Sequence, residues 1–171
     1  MIFCIFGQSC VGKTAVAQRV AAELNLPIRS CGAAVRESAK ALGVSSHDLP
    51  DTGHRDVDRS TVAWAFANQP CIIEGRYLDL VLASVDAPIL SIRLTASDVQ
   101  RHARYCNSEK FSFTLSDLRE VDANDASFRA RMYAASAKTV AELTVDSSEM
   151  TLEECVLCVR SIIEARLPPH I

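Results

Sequence analysis

Ile2-Phe3-Cys4-Ile5-Phe6-Gly7-Gln8-Ser9-Cys10-Val11-Gly12-Lys13-Thr14 is the segment that decides the fold. Its first five residues are a continuous apolar run, as expected of a central strand buried on both faces. The next eight fit G-x-x-x-x-G-K-[ST] without departure, and a helical pattern through Val16, Ala17, Val20, Ala21 and Leu24 follows. Strand, glycine-rich turn and helix in that order form a phosphate cradle. The glycines let the backbone curl so that successive N–H groups point inward, and the helix start adds the positive end of its dipole. Gly7, Gln8, Ser9, Cys10, Val11, Gly12, Lys13 and Thr14 are therefore the expected ATP-binding set. Lys13 would bridge the β- and γ-phosphates, and the Thr14 hydroxyl would ligate Mg²⁺.

Outward from this segment, short apolar runs alternate with helix-period stretches. Asn25 and Pro27 stop the first helix, and a short strand near Ile28 leads into a helix over 32–42 that Gly43 ends. Residues 45–56, with Pro50, Gly53 and His54, read as a loop, and helix returns over 57–68. Cys71-Ile72-Ile73 and 89–94 read as strands. Thr95 with Asp98 resembles a capping box opening a further helix. Residues 106–116 have no clear period, a long helix is expected over 117–142, and 143–145 reads as the last strand. Thr151-x-x-Glu154 then caps a final helix whose apolar face is Leu152, Cys155, Val156, Val159, Ile162 and Ile163. Five strands alternating with helices imply an α/β domain with a parallel five-stranded sheet in three layers, the P-loop NTPase arrangement.

Composition sets the outer limits. The chain has 171 residues, 49% hydrophobic and 23% charged, with six Gly and six Pro, which suits one globular domain and excludes a disordered or low-complexity chain. A net charge of −3 argues against gripping a nucleic-acid polymer. No apolar run reaches the ~18–20 residues of a membrane span, and the opening residues lack the basic leader of a secretory signal. The seven cysteines are an odd, scattered set, read as reduced thiols in a cytoplasmic protein. Cys155-x-x-Cys158 has no second ligand pair and lies in a helical apolar pattern, so it reads as core. None of Lys13, Lys40, Lys110 or Lys138 is followed two residues later by Asp, which excludes the base-reading signature of a GTPase switch.

Glu74 closes the run Cys71-Ile72-Ile73 at the carboxyl end of a central strand, where ligands of open α/β sheets gather. A carboxylate there can hold a Mg²⁺-bound water. Arg76 would sit at the same rim.

With these residues in view, the chain resembles the cytidylate kinases, more the short forms than the longer bacterial ones. The likeness runs in order along nearly the whole chain. Ser30-Cys31-Gly32-Ala33-Ala34-Val35-Arg36 resembles the family's Ser-Gly-Ala-x-Tyr-Arg acceptor segment. Ile72-Ile73-Glu74-Gly75-Arg76 resembles apolar-apolar-(Asp/Glu)-Gly-Arg, and Arg101-x-x-Arg104 resembles the start of the lid. The resemblance implies a core of 1–30, 70–100 and 140–171, an acceptor-binding segment at about 31–69 and a short lid at about 101–131. It further implies phosphoryl transfer from MgATP to a pyrimidine nucleoside monophosphate such as CMP or dCMP. Lys13, Arg101 and Arg104 would neutralise the transferring charge, and Cys31, Gly32, Arg36, Asp58, Arg76 and Arg129 would hold the acceptor.

Three departures stand out. Cys31 replaces a base-contacting Ser, Val35 replaces an aromatic, and Asp122 stands where the first Arg of a late Arg-x-x-x-Asp-x-x-Arg constellation belongs if Arg129 is the second. The same scaffold also serves kinases of other small molecules. A hydroxyl acceptor would need a general base, with Glu74 or Asp58 the first suspects. The second strand lacks the Asp-x-Asp typical of shikimate kinases. A third reading is a nucleotide-binding module that has lost acceptor chemistry. Monomer or dimer is left open.

Overall fold

The computed structural model describes residues 1–83, 85–108, 114–133 and 142–167. Five parallel strands, β1 (Ile2–Phe6), β2 (Ile28–Ser30), β3 (Cys71–Gly75), β4 (Ile89–Thr95) and β5 (Glu142–Asp146), stand in the order β2-β3-β1-β4-β5. The helices are α1 (Lys13–Leu24), α2 (Cys31–Ala41), α3 (Asp51–Ala67), α4 (Leu78–Val81), α5 (Asp98–Ser108), α6 (Leu115–Tyr133) and α7 (Leu152–Glu164). Among these residues no helix is long and apolar enough to cross a membrane.

β1 shows why its five residues are all apolar. Alternate side chains of a strand point to opposite faces. Phe3 and Ile5 enter a cluster with Val16 and Val20 of α1 and Val156, Val159 and Ile163 of α7. Ile2, Cys4 and Phe6 enter a second cluster with Ala65 of α3 and Leu78 of α4. Both faces are covered, so the three layers follow from one run of sequence. Cys155 lies in the first cluster and Cys158 packs against it, which makes the Cys-x-x-Cys pair core.

The chain order reverses at the centre of the sheet. β1 pairs β3 on one side and β4 on the other, with Phe6 opposite both Gly75 and Arg93. The turn after Phe6 thus emerges at the carboxyl edge, between the ends of both neighbours, where open α/β sheets bind ligands.

Several local expectations are corrected. The expected loop at 45–56 ends early, because α3 already begins at Asp51, with Pro50 at its N-cap. Gly53 reads as a turn signal, yet it sits in the first turn of α3. A Cβ there would lie 2.8 Å from Leu49 Cδ1, so its absence lets the buried Leu49 pack on the helix. The cap of α5 is Ser97, whose Oγ accepts from Gln100 N at 3.3 Å, while Thr95 ends β4 and its carbonyl accepts from Ser147 N. The expected cap of α7 forms in full: Thr151 N donates to Glu154 Oε2 at 2.8 Å, and Glu154 N donates to Thr151 Oγ1 at 3.3 Å. Residues 109–113, within the stretch without period, and 134–141, within the expected long helix, lie outside the described residues.

Candidate active site

The loop after β1 has the geometry of a phosphate cradle. Gly7 takes φ +145°, and a Cβ on it would fall 2.2 Å from the Leu94 carbonyl oxygen of β4. Only glycine fits against that backbone. Cys10 (φ 63°) and Gly12 (φ 94°) are also left-handed. Gly12 is the N-cap of α1 and makes no side-chain cap bond, so the amides of the first turn keep their donors for a ligand. Ser9 Oγ is buried without a hydrogen-bond partner among the described residues. Lys13 folds back to donate to the Gln8 carbonyl at 2.5 Å, and burial, with Arg76 close by, lowers its ammonium to about 8. Uncommitted amides, an orphaned hydroxyl and a desolvated lysine form a donor set that fits a triphosphate.

Glu74 is buried at the end of β3, opposite Ile5 of β1 and Ser30 of β2. It accepts from Thr14 Oγ1 at 3.3 Å and from the Ser30 hydroxyl. A hydroxyl beside a carboxylate is a hard-oxygen pair, which fits Mg²⁺ rather than a softer metal. Sheet register produces this pair, since β1 and β3 end level, with Phe6 opposite Gly75, and Ser30 ends β2 opposite Glu74.

The residues expected on the acceptor side are carried or held by α2, α3, α4 and α6. Ser30 caps α2 by accepting from Ala33 N at 3.1 Å, which sets Cys31 and Gly32 beside the end of β3. Cys31 Sγ donates to Thr61 Oγ1 at 3.8 Å, and burial pushes its thiol up to about 12, so it is neutral and unreactive. Arg36 is exposed and has no hydrogen-bond partner among the described residues. Its Nη1 lies 3.5 Å from where a Gly32 Cβ would be. Asp58 accepts from Tyr133 Oη at 2.7 Å, and burial raises its carboxyl above the usual range.

Beside the loop is a cleft of about 170 Å³ whose walls include Gly7, Gln8, Arg76, Tyr77, Asp125 and Arg129. Arg76 Nη1 donates to Asp125 Oδ1 at 2.7 Å, and Tyr77 Oη donates to the same oxygen at 2.8 Å. Arg129 Nη2 donates to Asp79 Oδ2 at 2.6 Å. The structure therefore brings Arg76 and Arg129 to one cleft, but each is held by a carboxylate.

Arg101 and Arg104 are placed differently from the expectation that they reach ATP phosphates. Arg101 Nε donates to the Ser9 carbonyl, and its two Nη atoms take both oxygens of Asp122. Arg104 donates to the carbonyls of Val11 and Ser147 and to Ser147 Oγ. In this conformation both guanidiniums are engaged by protein oxygens that brace the loop.

Sequence reading passed over Tyr77 and Tyr133. Tyr77 stacks on Phe128 with ring centroids 5.3 Å apart, and His54 meets Phe128 edge-on at 4.7 Å, which seats α6 against α3 and the end of β3. The available signal was the 3- and 4-residue spacing of Asp122, Asp125, Arg129 and Tyr133, which puts them on one helix face.

No family model and no curated protein sequence matches the chain. Solved structures do. A gluconokinase from Sinorhizobium meliloti 1021 superposes with a TM-score of 0.64 at 15% identity, covering 96% of this chain and 93% of that one. A shikimate kinase from Bacteroides thetaiotaomicron gives 0.61 at 12% identity, covering 96% and 98%. A sugar kinase from Janibacter sp. HTCC2649 gives 0.59 at 18% identity, covering 95% and 94%. At such identities the likeness establishes the fold alone, a three-layer α/β arrangement around a parallel five-stranded sheet, over nearly the full length of each chain.

Proposed function

We propose that this chain is an ATP-dependent phosphotransferase that moves the γ-phosphoryl group to a hydroxyl of a compact small-molecule acceptor. The observation that carries the reading is the loop of residues 7–14 with its orphaned Ser9 Oγ and desolvated Lys13, facing a cleft lined by charged side chains. Lys13 and the loop amides hold the donor phosphates, and Thr14 with Glu74 is the pair that would hold Mg²⁺. That ion would supply charge neutralisation to the donor phosphates.

Two features favour a hydroxyl acceptor over a nucleotide. The similar structures include a gluconokinase, a shikimate kinase and a sugar kinase. Asp58 offers a base: among the described residues it forms no ion pair with an arginine, and burial raises its proton affinity above that of an ordinary carboxylate, against the nearby charges of His54 and Arg55. In this reading Asp58 takes the acceptor hydroxyl proton, Arg36 and Arg76 orient the acceptor, and closure of the cleft keeps water from the γ-phosphate.

One observation favours the nucleoside monophosphate alternative. Arg36 stands exposed beside the start of α2, without a hydrogen-bond partner among the described residues, as a receptor for an acceptor phosphate would. One screen separates the readings. Purified protein with MgATP is assayed for ADP formed in the presence of CMP, dCMP, UMP and AMP, and of a panel of sugars, sugar acids and polyols. ADP that depends on a hydroxylated compound is the expected result. Dependence on a nucleoside monophosphate installs the alternative, and ATP binding without any acceptor-dependent ADP leaves a non-catalytic nucleotide-binding module.

A further inference from the structure

Arg101 is fully buried, the largest such side chain among the described residues. A buried guanidinium is costly unless every donor finds a partner. Here the partners come from two separate parts of the site. Nε donates to the Ser9 carbonyl in the phosphate loop at 2.8 Å. Nη1 and Nη2 grip Asp122 of α6 as a two-bond fork, at 2.7 and 2.6 Å. Asp98 Oδ1, on the same helix as Arg101, stands 3.4 Å from Nη1.

Asp122 opens the face of α6 that forms the acceptor wall. Asp125, one turn on, holds Arg76 and Tyr77. Arg129 holds Asp79 of α4, and Tyr133 holds Asp58 of α3. The helix that orders the acceptor groups is thus tied to the backbone of the donor loop by one planar side chain. Lysine cannot replace it, because an ammonium on a flexible stem cannot hold both oxygens of Asp122 and the Ser9 carbonyl in one fixed plane.

We infer that Arg101 and Asp122 are positioning residues that couple the two substrates: phosphates in the loop fix the Ser9 peptide, and the Arg101 fork passes that order to α6 and the acceptor cleft. The inference rests on the donor reading of the loop. Coupling of this kind is reciprocal, so an acceptor that orders α6 tightens the donor by the same factor, about 5–150-fold for typical coupled sites.

Amide hydrogen exchange on the full chain, with and without the magnesium complex of a non-hydrolysable ATP analogue, tests it. In the unmodified protein the analogue is expected to slow exchange in peptides from 7–14 and, by about 5-fold or more, in peptides from 115–133. In Arg101→Lys, which keeps the charge and breaks the fork, and separately in Asp122→Asn, loop protection is expected to persist while protection of 115–133 is lost. Protection of 115–133 that survives in both variants overturns the coupling, since the analogue then acts on α6 directly. So does an unmodified protein in which only the loop is protected, a result that needs no variant to fold. If the loop itself gains no protection, the donor reading fails and the coupling fails with it.

Discussion

Thr14 Oγ1 and Glu74 Oε1 stand 3.3 Å apart across 60 positions of sequence, one in the first turn of α1 and the other next to the last residue of β3. The level ends of β1 and β3 bring them together, and the pair is the hydroxyl and carboxylate of the proposed Mg²⁺ site. Glu74→Gln keeps the shape and removes the charge. Turnover is expected to fall about 10–100-fold, with a higher Mg²⁺ concentration needed for half-maximal rate. A rate-against-Mg²⁺ curve that does not move would remove Glu74 from the metal's support.

Lys13 gives a pH signature. Burial, with Arg76 beside it, lowers its ammonium to about 8 from an ordinary 10.5. In the free protein the cation is present below pH 8 and lost above it, so the dissociation constant for MgATP is expected to rise as pH climbs from 7 to 9.5. Lys13→Arg stays charged and flattens that rise. Stability runs the other way. The unfolded chain binds the extra proton between pH 8 and 10.5, so the Lys13 contribution stabilises the ligand-free fold as pH rises through that interval. The gain is of order 3 kcal/mol at most. Lys13→Met removes this part of the pH dependence in denaturant melts.

Two glycines of the loop separate steric need from conformational need. A Cβ at Gly7 would strike the Leu94 carbonyl at 2.2 Å, whereas one at Gly12 meets nothing within 4 Å and suffers only from φ +94°. Gly12→Ala is expected to cost about 1–2 kcal/mol, and Gly7→Ala clearly more, because backbone must move. Urea titration of both variants gives the ordering; equal losses would mean that the loop is not pinned against β4.

How much of this was legible beforehand depended on whether a residue's role was local. The order of elements and the loop of residues 7–14 follow from apolar runs, glycine positions and capping residues that act within a few positions of one another. So does the reciprocal cap of Thr151 and Glu154. The start of α3 was hidden, since Gly53 serves packing against Leu49 and reads as a turn. The arginines were legible as a class but not as contacts. Arg76, Arg101, Arg129 and Arg131 meet Asp125, Asp122, Asp79 and Asp51 from other elements, and no spacing rule links those partners. Asp58 gains its raised carboxyl from burial, which outweighs the hydrogen bond from Tyr133 and the charges of His54 and Arg55, a tertiary effect.

In the proposed reaction Asp58 would take the proton of the acceptor hydroxyl. Asp58→Asn is expected to lower acceptor-dependent turnover by about 10²–10⁴ while leaving the affinity for MgATP unchanged. Tyr133→Phe removes a hydrogen bond that holds the Asp58 carboxyl down, so the acid limb of the pH–rate profile is expected to move to higher pH. An Asp58→Asn enzyme with undiminished turnover would assign proton removal elsewhere.

Calorimetric titration of the protein with MgATP, set beside the same titration of Lys13→Met, tests the donor site most directly. The expected result is saturable binding at one site per chain that Lys13→Met abolishes or weakens by orders of magnitude while its unfolding transition survives. No saturable heat in the unmodified protein, or equal affinity in the two, would contradict the assignment of residues 7–14 as the grip on the donor phosphates.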